Sequence, residues 1–119
     1  MTKERFNELA TEIVDACLHV HKELGPGLLE SAYEYALLKE FELRNIFAQN
    51  QVQVKLFYKG HDTGKYYAID ILVENEIVIE IKCCDTLHPV YTAQIISYLK
   101  LSQKKLGFLV NFHVPLIKE

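Results

Sequence analysis

The amino-acid sequence has no apolar run that approaches the roughly 20 residues that a membrane span needs. Its three cysteines are an odd number and two are adjacent, which excludes a regular disulfide framework. It also lacks a surplus of basic residues, because 13 Lys and Arg face 16 Asp and Glu and the net charge is −3. Charge alone therefore gives no support to nucleic-acid binding, which usually shows an excess of Lys and Arg.

Several familiar site motifs are absent as well. There is no phosphate-binding loop, dinucleotide fingerprint or Ser/His/Asp nucleophile arrangement, and no Cys/His set has zinc spacing. Three thiols are fewer than the four of a cysteine-only iron–sulfur cluster. The first residues lead into an amphipathic pattern rather than an apolar signal segment. We therefore expect a cytoplasmic protein with reduced thiols and no membrane contact.

The pattern that is present predicts one domain over residues 1–119, with half of the residues hydrophobic. Helical periodicity is predicted over 3–24, ends at Gly25-Pro26-Gly27 and resumes from about Leu28 to Arg44 or Asn45. The later predicted elements are a strand after Asn50, a turn over 59–64, strands over about 66–73 and 77–82, a helix over about 90–103 and a strand over 107–112. The order α-α-β-β-β-α-β predicts an α/β or α+β domain with a mixed sheet.

The two central strands are predicted to form a β-hairpin that turns at Asn75. This register places Asp70 opposite Glu80 on one face. The other face is uniformly β-branched and apolar, and we expect it to face the main core; its residues are Ile69, Ile71, Val73, Ile77, Ile79 and Ile81. The symmetry of the apolar pattern is the evidence for the register.

Directly opposed carboxylates have Cβ atoms about 4.5–5.5 Å apart and repel each other. Asp70 and Glu80 would therefore form a hard-oxygen site suited to Mg²⁺ or Mn²⁺. Lys82 lies on the same face and could orient or deprotonate a water molecule, or stabilise charge on a phosphate. The alternative is a solvated strand face on which Lys82 only neutralises a carboxylate.

Two further groups of residues could join this site. Gln94 and Tyr98 share a face of the third helix and offer hydrogen bonds to a phosphate or a carboxylate, unless they form only a polar stripe. Ile95, Ile96 and Leu99 would supply the packing surface of that helix. Glu30 lies in the first turn of the second helix, where a carboxylate is favourable for electrostatic reasons alone. It could also supply a further carboxylate to the metal site, with Tyr33 beside it.

The segments His21-Lys22-Glu23-Leu24-Gly25-Pro26-Gly27-Leu28-Leu29-Glu30-Ser31-Ala32-Tyr33 and Asn111-Phe112-His113-Val114-Pro115 resemble the GxxExxY proteins, a family placed in the PD-(D/E)xK nuclease superfamily. The signature matches at Gly27, Glu30 and Tyr33, and the resemblance covers nearly the whole chain. It implies an α/β, restriction-endonuclease-like core: a mixed β-sheet flanked by helices. The superfamily motif maps onto Asp70, Glu80 and Lys82, with Ile69 in the position often held by proline.

Gln94 and Tyr98 match the Q-x-x-x-Y helix of the RecB-like and Cas4-like branch, although the cysteine set of its iron–sulfur members is missing. The resemblance implies a Mg²⁺- or Mn²⁺-dependent nuclease that acts on DNA or RNA. The metal would be bound by Asp70, Glu80, the carbonyl of Ile81 and Glu30. Lys82 would activate water, and Gln94 and Tyr98 would orient the carboxylates or the phosphate.

Two other functions remain open. The acidic chain could be a binding module that clamps nucleic acid or a partner protein without turnover. It could also be a subunit that needs a homodimer or another chain to supply basic surface. Candidate phosphate contacts within the chain are Lys55, Lys59 and Lys65, and Tyr66 and Tyr67 could stack on a base unless they belong to the core.

Overall fold

The structure is a computed structural model that describes residues 1–113. Its elements follow the predicted order: α1 Lys3–Leu24, α2 Glu30–Leu43, β1 Ala48–Tyr58, β2 His61–Val73, β3 Ile77–Lys82, α3 Pro89–Ser102 and β4 Leu106–Asn111. Val114 and Pro115, which belong to the resemblance at the end of the chain, lie outside the described residues. None of the helices within 1–113 has the length and apolarity that crossing a bilayer requires.

Local capping explains where two of the helices begin and end. The side chain of Thr2 accepts a hydrogen bond from the N–H of Arg5 at 3.1 Å and starts α1, and Gly25, with φ 69°, ends it. Nδ1 of His88 accepts from the N–H of Val90 at 3.0 Å and starts α3 ahead of a proline. Both starts are those predicted from the sequence.

The four strands of the described chain form one mixed sheet in the order β1-β2-β3-β4. The pairs β1/β2 and β2/β3 are antiparallel, and β3 and β4 are parallel, with α3 in the connection between them. The fold is therefore α/β and restriction-endonuclease-like, with helices on both faces of the sheet. The predicted mixed sheet and parallel pair are confirmed.

Each face of the sheet has its own apolar cluster. The larger one lies under α1 and α2 and includes Leu9, Ile13, Tyr33, Leu37, Phe41, Ile71, Val73, Ile77, Ile79, Ile81 and Phe112. The smaller one lies under α3 and consists of Ile69, Leu72, Val78 and Ile95, with Val52, Val54, Tyr67, Leu99 and Leu109 at its margin. Because Glu80 alternates with the buried residues Ile79 and Ile81, its side chain points to the α3 face.

The predicted hairpin register is confirmed where the ladder exists. Ile71 pairs with Ile79 and Val73 with Ile77, and the turn uses left-handed backbone at Glu74 and Asn75. The β2/β3 ladder stops at Ile71. Beyond that point β3 pairs with β4 through residues 80–82, while β2 continues alongside β1. The sheet therefore separates at the level of Asp70 and Glu80.

The prediction for Ile69 is wrong, because this residue belongs to the α3 cluster and not to the main core. Gln51 has a φ of 50°, a left-handed conformation inside a strand. The ladder pairs Asn50 with Ile71 and Val52 with Ile69 on either side of it. Ile71 packs in the cluster under α1 and α2, whereas Ile69, two residues earlier in the same strand, packs in the cluster under α3. The two-residue alternation of the strand therefore fails at this level of the sheet.

Other local predictions also need correction. The turn predicted over 59–64 is confined to Lys59 and Gly60, and β2 already begins at His61. The second glycine, Gly64 with φ 74°, lies in β2 opposite the register shift between Lys55 and Phe57 of β1. Ile96, which was predicted to supply packing surface on the third helix, is 60% exposed.

Candidate active site

Asp70 and Glu80 meet where β2 and β3 separate. Oδ2 of Asp70 accepts a hydrogen bond from the N–H of Ile81 at 2.7 Å, and the N–H of Asp70 lies 3.4 Å from Oε1 of Glu80. These two contacts replace the strand ladder at this level, so each strand is joined to the other through a carboxylate. The structure thus brings the predicted carboxylate pair together and orients both side chains by main-chain contacts.

Glu80 is one of the few buried charged residues in the described chain, with 7% of its surface exposed. Burial, followed by the charge of Asp70, raises the pKa of Glu80 from 4.5 to about 8, although Lys82 acts in the opposite direction. Without a cation, burial and the charge of Asp70 therefore favour the protonated carboxyl group. A cation bound between the two carboxyl groups would favour the ionised form instead.

Lys82 follows at the end of β3, and its Nζ lies 4.6 Å from the ring centroid of Tyr91 on α3. This is a cation–π contact. Within residues 1–113, no ion pair closer than 4.0 Å joins Lys82 to Asp70 or Glu80. The ammonium group is therefore held beside the carboxylates by an aromatic ring and is not paired with either of them.

The α3 helix presents a face of three residues towards this region. Tyr91, Gln94 and Tyr98 are spaced by three and four residues, and the ring of Tyr98 stacks on Tyr67 at 4.1 Å. The hydroxyl of Tyr67 donates to the carbonyl of Tyr98 at 2.8 Å. Burial raises the pKa of Tyr67, and the charge of Glu80 acts in the same direction.

The predicted pair Gln94 and Tyr98 therefore lies on a helix fixed to the site at both ends. Gln94 is exposed between the two tyrosine contacts.

Glu30, the further carboxylate predicted for the site, belongs to α2. It is the exposed first residue of that helix. Burial raises the pKa of the Cys83 thiol, and the charge of Glu30 acts in the same direction. Glu30 therefore approaches the residue that follows Lys82. Within the described chain, no three His, Cys, Asp or Glu side chains are grouped closely enough to hold a metal ion. Glu30 is thus not joined to Asp70 and Glu80 in this structure.

A different glutamate of α2 is linked to the site through Gln51. Nε2 of Gln51 donates to Oε1 of Glu34 at 2.6 Å and lies 3.5 Å from Oδ1 of Asp70. Asn50 adds a second hydrogen bond to Glu34 at 3.3 Å. The left-handed backbone of Gln51 is what directs its amide between the two carboxylates.

These geometric features agree with a comparison to protein families. The model that describes the PD-(D/E)XK nuclease superfamily matches residues 7–119. The chain belongs to the PD-(D/E)XK nuclease superfamily. No curated protein and no solved structure gave a significant match.

Membership in the PD-(D/E)XK nuclease superfamily points to nuclease-type phosphodiesterase chemistry and to nucleic acid as the bound polymer. Enzymes of this superfamily generally use divalent metals. The donor set fits such an ion, because Mg²⁺ is usually held by one or two carboxylates together with water and substrate phosphate. Asp70 and Glu80 supply two carboxylates at one point, and among residues 1–113 no third His, Cys, Asp or Glu side chain joins them closely enough to hold a metal ion.

Two of the three residues of the G-x-x-E-x-x-Y signature have structural explanations in this PD-(D/E)XK protein. Gly27 has a φ of 99°, which strongly favours glycine. The hydroxyl of Tyr33 donates to the carbonyl of Gly25 and accepts from the N–H of Leu28, and its ring stacks on Phe112. Tyr33 is fully buried. Tyr33 therefore closes the loop between α1 and α2.

Four residues around the site were not predicted from the sequence: Glu34, Gln51, Tyr67 and Tyr91. Glu34 follows Glu30 by one helical turn, and Tyr91 precedes Gln94 by three residues, so helical spacing could have indicated both. Tyr67 was considered only as a residue of the core or a base-stacking residue. Gln51 gave no signal, because its role depends on a backbone conformation that no pattern reveals.

Proposed function

We propose that the chain is a Mg²⁺- or Mn²⁺-dependent nuclease that hydrolyses phosphodiester bonds of DNA or RNA. The observation that carries this proposal is the convergence of Asp70 and Glu80 at the point where β2 and β3 separate. Two acidic groups at a break in a sheet, one of them buried with a raised pKa, are costly to fold. Binding of a catalytic cation would explain why the protein retains both acidic groups at this position.

The metal would be held by Asp70, Glu80 and the carbonyl of Ile81, and Glu30 would approach from α2 to complete the shell. A divalent cation bound there would stabilise negative charge on the phosphate. The N–H of Ile81 holds Asp70 in place, so one carboxylate is already oriented before a cation binds. Burial and Asp70 raise the pKa of Glu80, and a bound cation would favour its ionised form.

Lys82 is assigned to the attacking water, which its ammonium group would orient, or which it would deprotonate after first losing its own proton. Its ammonium group rests on Tyr91 and is free of direct carboxylate pairing within residues 1–113, so it can turn towards a water molecule. Gln94 and Tyr98 would orient the scissile phosphate or the carboxylates from α3. Together with the Gly27, Glu30 and Tyr33 signature, this pair supports placement among the GxxExxY proteins of the RecB-like and Cas4-like branch.

The decisive experiment incubates the chain with linear and circular DNA, single- and double-stranded, and with RNA. Mn²⁺, Mg²⁺ and EDTA are compared, with Asp70→Asn and Lys82→Ala purified in parallel. The expected result is cleavage that requires the cation and falls by at least about a thousandfold in both variants. Glu23→Gln, at an exposed position of α1 away from the site, is the matched control and should cleave like the wild type.

Metal binding without cleavage would contradict the nuclease proposal. It would favour the alternative of a binding module, or of a subunit whose partner is a second copy or another chain. Light scattering of the same preparation, with and without nucleic acid, separates these two. Loss of divalent-metal binding in Asp70→Asn with retained circular dichroism tests the metal assignment on its own.

A further inference from the structure

The outer half of the β1/β2 hairpin extends beyond both apolar clusters. We call residues 55–66 the β-arm. From Phe57 to Tyr66 every residue is exposed, although the strands pair as far as Tyr58 and His61. Internal bonds hold its shape: Thr63 Oγ1 donates to the carbonyl of Leu56 at 2.7 Å, and Gly64 N–H donates to Asp62 at 2.9 Å. The β-arm is thus an ordered ribbon that buries little of its surface.

The exposed side chains of the β-arm are mainly aromatic and basic. Phe57, Tyr58 and Tyr66 have 54%, 64% and 59% of their surfaces exposed. The arm contains three lysines and one aspartate, in a chain whose overall charge is −3. Asp62 lies 3.7 Å from Lys55, which leaves Lys59 and Lys65 as the cations without an acidic partner in the arm. The arm is therefore locally basic.

The β-arm is also continuous with the candidate active site. Tyr66 lies on β2 four residues before Asp70, a distance of about 13 Å along an extended strand. Tyr67, next in sequence, stacks on Tyr98 of α3. A polymer that passes over Asp70 and Glu80 along β2 would therefore reach the β-arm.

We propose that the β-arm binds a single-stranded segment of nucleic acid and leads it to the carboxylate pair. This inference rests on the proposed nuclease function and specifies its substrate class. Lys59 and Lys65 would contact phosphates, and the rings of Phe57, Tyr58 and Tyr66 would stack on bases. The arm supplies the positive charge that the composition of the whole chain does not.

Single-stranded nucleic acid fits this surface better than a duplex does. Bases in a duplex are stacked on each other, and their groove edges offer mainly hydrogen-bonding groups. Three largely exposed rings stack best on bases that are free to leave their own stack. Such base–aromatic stacking does not depend on the base sequence. A duplex end that is locally open would satisfy the same requirement.

The test measures binding without cleavage, by fluorescence anisotropy in EDTA. The probes are labelled oligothymidine and a mixed-sequence duplex of the same length. We expect tighter binding of the single strand, and losses of about 5- to 150-fold for each of Phe57→Thr, Tyr58→Thr and Tyr66→Thr. Threonine is chosen because it retains β propensity without a ring. Tyr35→Leu, at a ring 72% exposed on α2, is the control and should bind like the wild type.

Salt dependence tests the lysines separately. The double variant of Lys59→Gln and Lys65→Gln should reduce the slope of log affinity against log salt by about 1.4, since each phosphate contact on a single strand contributes about 0.7. The matched double variant of Lys3→Gln and Lys22→Gln, at exposed positions of α1, should leave the slope unchanged.

Several results would overturn the arm assignment: no binding of either probe, equal affinity for duplex and single strand, or arm variants that bind like the wild type. A change in solution mass of the arm variants without a change in affinity would show a protein contact instead. Because EDTA suppresses turnover, the two proposals can fail independently. Binding through the arm without cleavage in Mn²⁺ refutes only the nuclease proposal, and cleavage unaffected by the arm variants refutes only the arm.

Discussion

The carboxylate of Asp70 accepts a hydrogen bond at 2.7 Å from the main-chain N–H of Ile81, the residue that follows Glu80. In an uninterrupted hairpin, ladder partners would occupy these positions. Here the ladder ends at Ile71 and Ile79, and a side chain bridges the gap. The break in the sheet and the orientation of Asp70 are thus one structural feature, and it brings two acidic side chains together where β2 and β3 separate.

Stability in the absence of divalent cations should depend on pH through Glu80. The folded carboxyl binds its proton more tightly than the unfolded one, so its stabilising contribution is complete below about pH 4.5 and is lost as pH rises through about 8. Glu80→Gln, which resembles the protonated acid, should lose this dependence. Urea unfolding in EDTA at several pH values measures the difference between the two proteins.

The control for this prediction is Glu23→Gln, at an exposed position of α1. Its unfolding free energy should run parallel to that of the wild type over the same pH range. A wild type that gains stability relative to Glu80→Gln as pH rises would show that the buried carboxyl is ionised in the folded protein.

Gln51 offers a test that separates backbone conformation from side-chain chemistry. Glycine tolerates the φ of 50°, so Gln51→Gly should be as stable as the wild type or up to about 1 kcal/mol more stable. The same change removes the amide between Glu34 and Asp70. Cation affinity and cleavage should therefore fall by about tenfold, as is usual for groups that orient a metal ligand.

Gln53→Gly in the same strand is the matched control, because Gln53 has no left-handed backbone and its side chain is exposed. It should lose about 1 kcal/mol of stability and retain cation affinity. If Gln51→Gly binds Mn²⁺ as tightly as the wild type, Gln51 has no part in orienting Asp70.

Tyr33→Phe tests the structural explanation of the signature tyrosine. The variant keeps the ring stacked on Phe112 and loses the hydroxyl contacts with Gly25 and Leu28. We expect a loss of about 1–2 kcal/mol in unfolding free energy, because two main-chain groups lose their partner. Activity per folded molecule should not change. Tyr35→Phe on the exposed side of α2 is the control, and a selective loss of kcat in Tyr33→Phe would instead indicate a chemical role.

Arg44 should be important for the stability of the helix pair. Its guanidinium lies 2.8 Å from Glu12, 2.9 Å from Asp15 and 2.7 Å from Glu40, and its side chain is 17% exposed. Arg44→Gln removes the guanidinium partner of three neighbouring carboxylates, so we expect a loss of about 1–3 kcal/mol by chemical denaturation. Arg5→Gln, which removes longer and more exposed contacts, should cost less than about 1 kcal/mol. Equal losses in the two variants would contradict this assignment.

Much of the local structure that positions the site could be predicted from the sequence alone. Turn residues between two β-branched runs predicted the hairpin over 66–82, and its symmetry gave the register that brings Asp70 to Glu80. The start of α3 could be predicted from His88 and Pro89, and the strand, helix and strand at the end indicated a parallel pair. These features depend on local conformational preferences and on the two-residue period of a strand, both of which can be read along the chain.

Tertiary structure decided the features in which distant segments meet or the period breaks. The face of Ile69 could not be predicted, because the left-handed backbone of Gln51 interrupts the alternation. The links from Gln51 to Glu34 and from Lys82 to Tyr91 depend on where α2 and α3 dock on the sheet. The sequence alone determined that two carboxylates and a lysine would share one region of a hairpin. Helix packing decided their neighbours, because such contacts join residues whose proximity no local pattern encodes.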